Sequence, residues 1–309
     1  MRQQHASVGF IQNGCLATMH GICRSVSIHF VSLRTNVDQS QIPAGATLLG
    51  TILSSDKTNI SVLTGDCIAH LLLISLANIK MATQLKLSSH AFLLATLLPV
   101  PKFIHKNKWM KGVLESHLIH QCLDIILEPL KCTAQLGVML SDPWGHNRYC
   151  FTPIVSYIVD TPEATMLAGV GGKTSPITMA MYKEFGNPFR HESCTSATTL
   201  SQLAVAASKA NPKDIKAYFC EVQKFHLNGV HLLFWHNIPL TCPSRFLFFS
   251  PEVLHHVHKE FWDHDCKWCI NALGPAEINF IFSVLQPVTG FHHFKDGISS
   301  LKQVTGRTH

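Results

Sequence analysis

The sequence predicts an α/β fold in which a mixed sheet comes first and a mostly helical region follows. Three observations predict it. Apolar runs of strand length recur between residues 46 and 159, separated by polar or Gly/Pro-containing turns. One longer segment, 113–130, repeats its apolar positions at a helical period. Beyond residue 160, strand-like runs give way to glycine-rich connections and to Ala/Ser-rich or amphipathic segments.

Residues 1–41 carry no clear period and read as a poorly structured leader. Organisation begins at Ile42-Pro43-Ala44-Gly45. The run Ala46–Ser55 stops at Asp56-Lys57-Thr58-Asn59, and a second run, Ile60–Leu63, ends at Thr64-Gly65-Asp66. Two apolar runs about a polar turn predict a β-hairpin. Leu71–Ile79 and Ala91–Val100 predict further buried strands, the second punctuated by Pro99. A helix follows, with Val113, Leu114, Leu118, Ile119, Cys122, Ile125, Ile126 and Leu130 on one face and Gly137 as its stop. Val138–Leu140 and Tyr149–Thr152, joined through Ser141–Gly145, predict a second hairpin. Pro153–Val159 predicts a strand ending at Asp160. After it, Thr198–Lys209 and Asp214–Leu227 suit helices. Ser250-Pro251-Glu252 reads as the capped start of another, running to Gly274-Pro275.

Composition narrows the function classes. The chain has 309 residues, enough for one or two domains. Hydrophobic residues make up 46% and charged residues 14%, which excludes intrinsic disorder as the main state. The formal charge of +6 and pI of about 8.7 permit a polyanionic partner without demanding one. Eleven Cys in a chain of this length, with one Cys-x-x-Cys pair at Cys266 and Cys269, suit free thiols in a reducing compartment. Met1–His5 leads into mixed residues with no apolar signal core. The hydropathy peaks at Cys67–Ile79 and Ala91–Pro101 fall short of the roughly 18–20 residues a spanning helix needs. The expectation is a nuclear or cytoplasmic protein, neither secreted nor in a membrane.

The order of strands, helix and strand, with an acid just past the first strand and another closing the last, is the opening of a ribonuclease-H-like fold. Residues 42–160 are then a partial core of that kind, and 161–309 a mostly helical insert or satellite domain. In such a fold, carboxylates from adjacent central strands meet at one edge of the sheet and bind one or two divalent metals. Mg²⁺ suits such a site, because it takes a few carboxylates and keeps several waters. The pair singled out is Asp56 and Asp160. The competing reading makes Asp56 a turn residue and Asp160 a helix N-cap ahead of Pro162-Glu163.

Three other stretches carry possible chemistry. Gly169-Val170-Gly171-Gly172-Lys173-Thr174 is P-loop-like, but Leu167 stands where that motif needs glycine, so a glycine-rich connection is the default. His255, His258, Asp265 and Cys269 share one predicted helix whose polar face includes metal-capable groups. The stretch Phe291-His292-His293-Phe294-Lys295, continuing to Lys302 and Arg307, is basic and aromatic and reads as a surface loop that could touch DNA.

Several segments, in order, resemble one family. They are ILSSDKTNIS at 52–61, LLLISLANI at 71–79, LLPVPKFIHK at 97–106, SDPWG at 141–145, RYCFTPIVSYIVDTPEA at 148–164, NPFRHES at 187–193, PEVLHHVHKEFWDHDCKWCI at 251–270 and GFHHFKDGISSLKQVTGRTH at 290–309. These resemble the Plavaka-type transposases of fungal mobile elements, in the Kyakuja–Dileera–Zisupton group. The resemblance implies a DDE-type transposase, with metal-dependent phosphodiester cleavage and strand transfer, Mg²⁺ as cofactor and DNA (the transposon ends) as partner. Carried over by motif, Asp56 and Asp160 are its first and second catalytic, metal-binding acids. The family pattern continues past KQVTG and carries an acid where Thr308 stands. Many members also have a Cys-x-x-Cys pair soon after the strand bearing the second acid, where this chain has Gly171–Pro176. The resemblance therefore implies a truncated, inactive copy. The alternative is a non-catalytic DNA-binding protein derived from the same element.

Overall fold

The computed structural model describes residues 42–61, 67–84, 86–238, 249–251, 265–284 and 299. The expected leader 1–41 lies outside them. The chain divides into two compact units, Met1–Pro251 and Glu252–His309.

The first unit is built on two mixed sheets. In chain order its elements are β1 (Thr47–Leu48), β2 (Thr51–Ser61), β3 (Cys67–Leu76), α1 (Met81–Gln84), β4 (Leu93–Leu98), α2 (Lys108–Leu136), β5 (Val138–Ser141), β6 (Asn147–Phe151), β7 (Ile154–Val159), α3 (Thr161–Leu167), α4 (Ser196–Lys209), α5 (Ile215–Gln223) and β8 (Phe249–Pro251). The larger sheet has the order β4-β3-β2-β7-β8. Strand β2 pairs antiparallel with β3 and parallel with β7, and β8 joins β7 in parallel. Because β4 is antiparallel to β3, β3 alone runs against the other four. The smaller sheet has the order β1-β6-β5, with the β5–β6 hairpin as predicted.

Strand β2 corrects the sequence reading. Asp56-Lys57-Thr58-Asn59 is not a turn: all four residues stay in the strand, opposite Leu71, His70, Ala69 and Ile68 of β3. The reason is position along the sheet. Thr51–Ser55 are buried on both faces, while residues 56–60 alternate between half-buried and exposed. The polar residues mark where the strand leaves the core, and a ladder of backbone bonds holds them extended. Strand β4 forms where expected but is not buried. It pairs, among the described residues, with β3 alone, and Leu93, Leu94 and Leu97 are exposed.

Helix α2 lies across one face of the larger sheet. Its Ile119, Leu123 and Leu127 share a core with Leu53 of β2, Leu72 of β3, and Tyr157 and Val159 of β7. The inward stripe is Val113, Ser116, Ile119, His120, Leu123, Leu127, Lys131 and Ala134. That is a spacing of three and four with three polar members, which apolar counting alone misplaces; Ile125, expected on it, is 75% exposed. Gly137 ends the helix as predicted, at φ 72°, with its N–H donating to the Thr133 carbonyl. A Cβ there would lie 2.7 Å from the Tyr149 ring. The opposite face of the sheet carries a smaller core of Ile52, Leu73, Ala77, Phe92 and Ile158.

The segments after Asp160 contribute to the α2-side core through Leu167 of α3, Leu203 and Ala206 of α4, Tyr218 and Val222 of α5, and Phe249 of β8. Ser250, expected as a helix cap, is a strand residue instead. It pairs with Ile158, and its hydroxyl lies 2.6 Å from that of Ser156. Among its described residues the second unit holds α6 (Lys267–Leu273) and α7 (Pro275–Ser283). The two meet at Gly274 and close over Ile278, with Cys266, Ile270 and Phe282 packed against it. Of the helix predicted from 250 to 274, Ser250 and Pro251 are strand and Lys267–Leu273 is helix, while residues 252–264 lie outside the described set. No helix among the described residues is long and apolar enough to cross a membrane.

His120 joins α2 to the segment that follows β7. The Phe234 N–H donates to its Nδ1 at 3.2 Å, so that nitrogen is the acceptor. Nε2 then carries the proton and donates to the Met166 carbonyl at 3.2 Å. Complete burial pushes the imidazole down from 6.5 to about 4. A depressed histidine supports the fold fully above the unfolded value near 6.5, and the contribution is lost as pH falls toward 4. The full interval corresponds to about 3 kcal/mol. Denaturant unfolding at a series of pH values is expected to show stability falling across that window. The part due to His120 will be missing from the slope of His120→Gln.

Candidate functional site

The parallel pairing of β2 with β7 determines where the two aspartates go. Its register sets Ile52 against Ser156, Leu53 against Tyr157 and Ser54 against Ile158. Asp56 lies two residues past Ser54, and Asp160 two residues past Ile158. Asp160 is just beyond the end of β7 but keeps an extended backbone, with φ −72° and ψ 168°. Counted on from the last pair of that register, Asp56 on β2 and Asp160 just past β7 come at the same step along strands that run about 4.8 Å apart where they pair. Alternation puts them on one face, the side of Ile52 and Ile158. Asp56 is half-buried.

Each carboxylate is held locally. Asp56 Oδ2 accepts from the Thr58 hydroxyl at 3.2 Å. Asp160 is the N-cap of α3, and its Oδ1 accepts from the Glu163 N–H at 2.8 Å. The turn alternative for Asp56 is therefore excluded, whereas the cap alternative for Asp160 holds together with its position beside β2.

Directly beneath, on the α2 side of the sheet, lies a buried polar cluster that the sequence reading missed. Glu163 Oε1 accepts from the Ser55 hydroxyl at 2.6 Å and from His70 Nε2 at 2.8 Å. His70 is completely buried and Glu163 is 9% exposed. Burial first, and the Glu163 charge second, hold the Tyr157 phenol well above its ordinary value, so it stays neutral beside them. Two signals for the cluster stood in the sequence. One was a lone histidine inside the apolar CIAHLLLISL run, and the other an acid three residues after an N-cap aspartate.

The other stretches carry less. In the P-loop-like segment, the N–H groups of Gly169, Val170, Gly171 and Thr174 donate to the carbonyls of Met166, Thr165, His226 and Gly171. Those amides are committed within the protein and do not form a phosphate cradle, as the default reading expects. Of the histidine-rich set, His255 and His258 lie outside the described residues. Near Cys269, burial first and then the charges of Cys269 and Asp265 push the Cys266 thiol up. No group of three or more His, Cys, Asp or Glu that would hold a metal exists among the described residues. The basic aromatic stretch from Phe291 to Lys295, Lys302, Arg307 and Thr308 also lies outside them.

Fold and placement together define an α/β protein with one acid, Asp56, on β2 and another, Asp160, just past the end of the parallel neighbour β7. The chain belongs to the Plavaka transposase family, whose model matches residues 27–269. The family is one of transposases of transposable elements, which suggests DNA binding. No curated protein and no solved structure matches the chain.

The buried cluster and the surface pairs differ in what they contribute. Lys57 Nζ lies 2.8 Å from Glu115 Oε1 on α2, but both side chains are more than a third exposed. Truncating one partner of a buried pair strands the other, at a cost of about 3–5 kcal/mol, whereas an exposed pair contributes about 0–1 kcal/mol. Urea denaturation is expected to show His70→Ala losing stability in the first range and Lys57→Ala in the second.

Proposed function

We propose that this chain carries a ribonuclease-H-like core of the DDE transposase type, in which Asp56 and Asp160 together bind Mg²⁺. The single observation that carries the reading is the β2–β7 register, which supports two carboxylates at one level and on one face. The sheet order β4-β3-β2-β7-β8, with β3 alone reversed and α2 packed across one face, supports that core.

The donors suit such an ion. Both are hard carboxylate oxygens, and Mg²⁺ is commonly bound through one or two carboxylates while keeping several waters. A bound divalent ion supplies a water of lowered pKa and steadies the oxygen leaving a phosphodiester. The chain's own part is to aim and hold. The Thr58 hydroxyl bonds to Asp56, and the α3 N-terminus bonds to Asp160. The transposon ends are the DNA this reading assigns, drawn by a net charge of +6. Thr308, at the position where the family pattern carries an acid, supports a product with little or no strand transfer of its own.

Metal binding and DNA binding are separable in the test. Mn²⁺ titration of the 309-residue chain, followed by the electron paramagnetic resonance of the free ion, is expected to show a site. Asp56→Asn and Asp160→Asn should each weaken it at least tenfold. Equal affinity in all three proteins rules out the shared site. DNA affinity is expected to fall steeply as salt rises. If it is insensitive to salt, the contact is not with phosphates.

A further inference from the structure

We propose that Glu163 is the positioning residue that sets the spacing of Asp56 and Asp160. The proposal rests on the metal-binding reading of those two aspartates and adds a third residue to it. Glu163 reaches both strands at once. Its backbone N–H donates to the Asp160 carboxylate at 2.8 Å. Its side-chain Oε1 accepts from Ser55, the immediate neighbour of Asp56 on β2, at 2.6 Å. The same oxygen accepts from His70 on β3 at 2.8 Å. One residue thus bonds to Asp160 on one side and to the strand bearing Asp56 on the other.

The linkage is placed where the ladder needs it. The β2–β7 register ends at Ser54 and Ile158, short of both acids. Past that point Glu163 spans from α3 back to β2 and does what a further rung of the ladder would do. Its burial makes the span stiff: at 9% exposure, water does not compete effectively for the carboxylate. The Nδ1 of His70 is buried with no hydrogen-bond partner among the described residues, so Nε2 is the nitrogen that ties β3 to the link. Glu163 lies on the α2 side of the sheet and the aspartates on the other. It therefore acts through Asp160 and Ser55, without being a ligand itself.

Residues behind a metal's ligands typically change its affinity by about 10–100-fold when removed. Mn²⁺ titration of the full chain should therefore show Glu163→Ala weakened at least tenfold. Glu163→Gln retains an oxygen for Ser55 and His70 and should stay within about threefold of wild type, a rescue that a pure charge effect would not give. Leu123→Ala, which opens the same core without touching the link, should lose stability and keep its Mn²⁺ affinity. The proposal is overturned if Glu163→Ala binds like wild type, or if Leu123→Ala loses as much affinity as Glu163→Ala. Should Glu163→Ala not fold, Ser55→Ala carries the test; a severalfold weakening supports the link and unchanged affinity overturns it. If wild type binds no Mn²⁺, or Asp56→Asn binds as well as wild type, the two-aspartate reading itself fails and takes the link with it. That failure is seen without any Glu163 variant.

Discussion

The parallel pairing of β2 with β7 is the constraint on which the rest of this structure depends. Parallel neighbours cannot be joined by a tight turn, so the chain must travel out and return. Here the return runs through β3, β4, the long α2 and the β5–β6 hairpin before β7 comes back beside β2. Both strands are central, covered by the α2-side core on one face and the Phe92 core on the other. Such a sheet tolerates no slip. A shift of one residue would turn Leu53 and Tyr157 away from α2 and send Ser54 and Ile158 into their places.

A second regularity concerns the polar groups that this core admits. Ser55, His70, His120, Lys131 and Glu163 are all buried, and each meets a partner on another element or another turn. Lys131 bonds Asp124, about two turns earlier along α2, and also Asn237 at 2.8 Å. Burying a polar group without a partner costs several kcal/mol by transfer measures, so each of these contacts decides a relative position as well as filling space. His120 ties α2 to the end of α3, and Glu163 ties the start of α3 to β2 and β3. The short α3 is held at both ends by side chains that hydropathy counts as misplaced.

What was legible in the sequence follows the same division. The α2 helix, its Gly137 stop, the β5–β6 hairpin and strand β7 are signalled by local pattern, and they stand where that pattern puts them. The errors came where tertiary context overrode it. Asp56-Lys57-Thr58-Asn59 has the composition of a turn, yet pairing with β3 keeps it extended. Ser250-Pro251 has the form of a helix start, yet pairing with β7 makes it strand. The inward face of α2 was misplaced because His120 and Lys131 belong to it. Asp56 and Asp160 were singled out because their neighbouring motifs are distinctive. Glu163 and His70 were not, because a lone histidine in an apolar run and an acid after a cap do not by themselves say that the two, 93 residues apart, bond to each other.

Strand β2 has one more physical consequence. At eleven residues it extends roughly 35 Å, and its character changes from dry to wet around its sixth position, Asp56. The acid stands on a pier: anchored in the core behind it, open to water ahead. A carboxylate carried this way inherits its steadiness from packing five residues behind it: what fixes Thr51–Ser55 in the core also fixes the direction in which the strand carries Asp56 out.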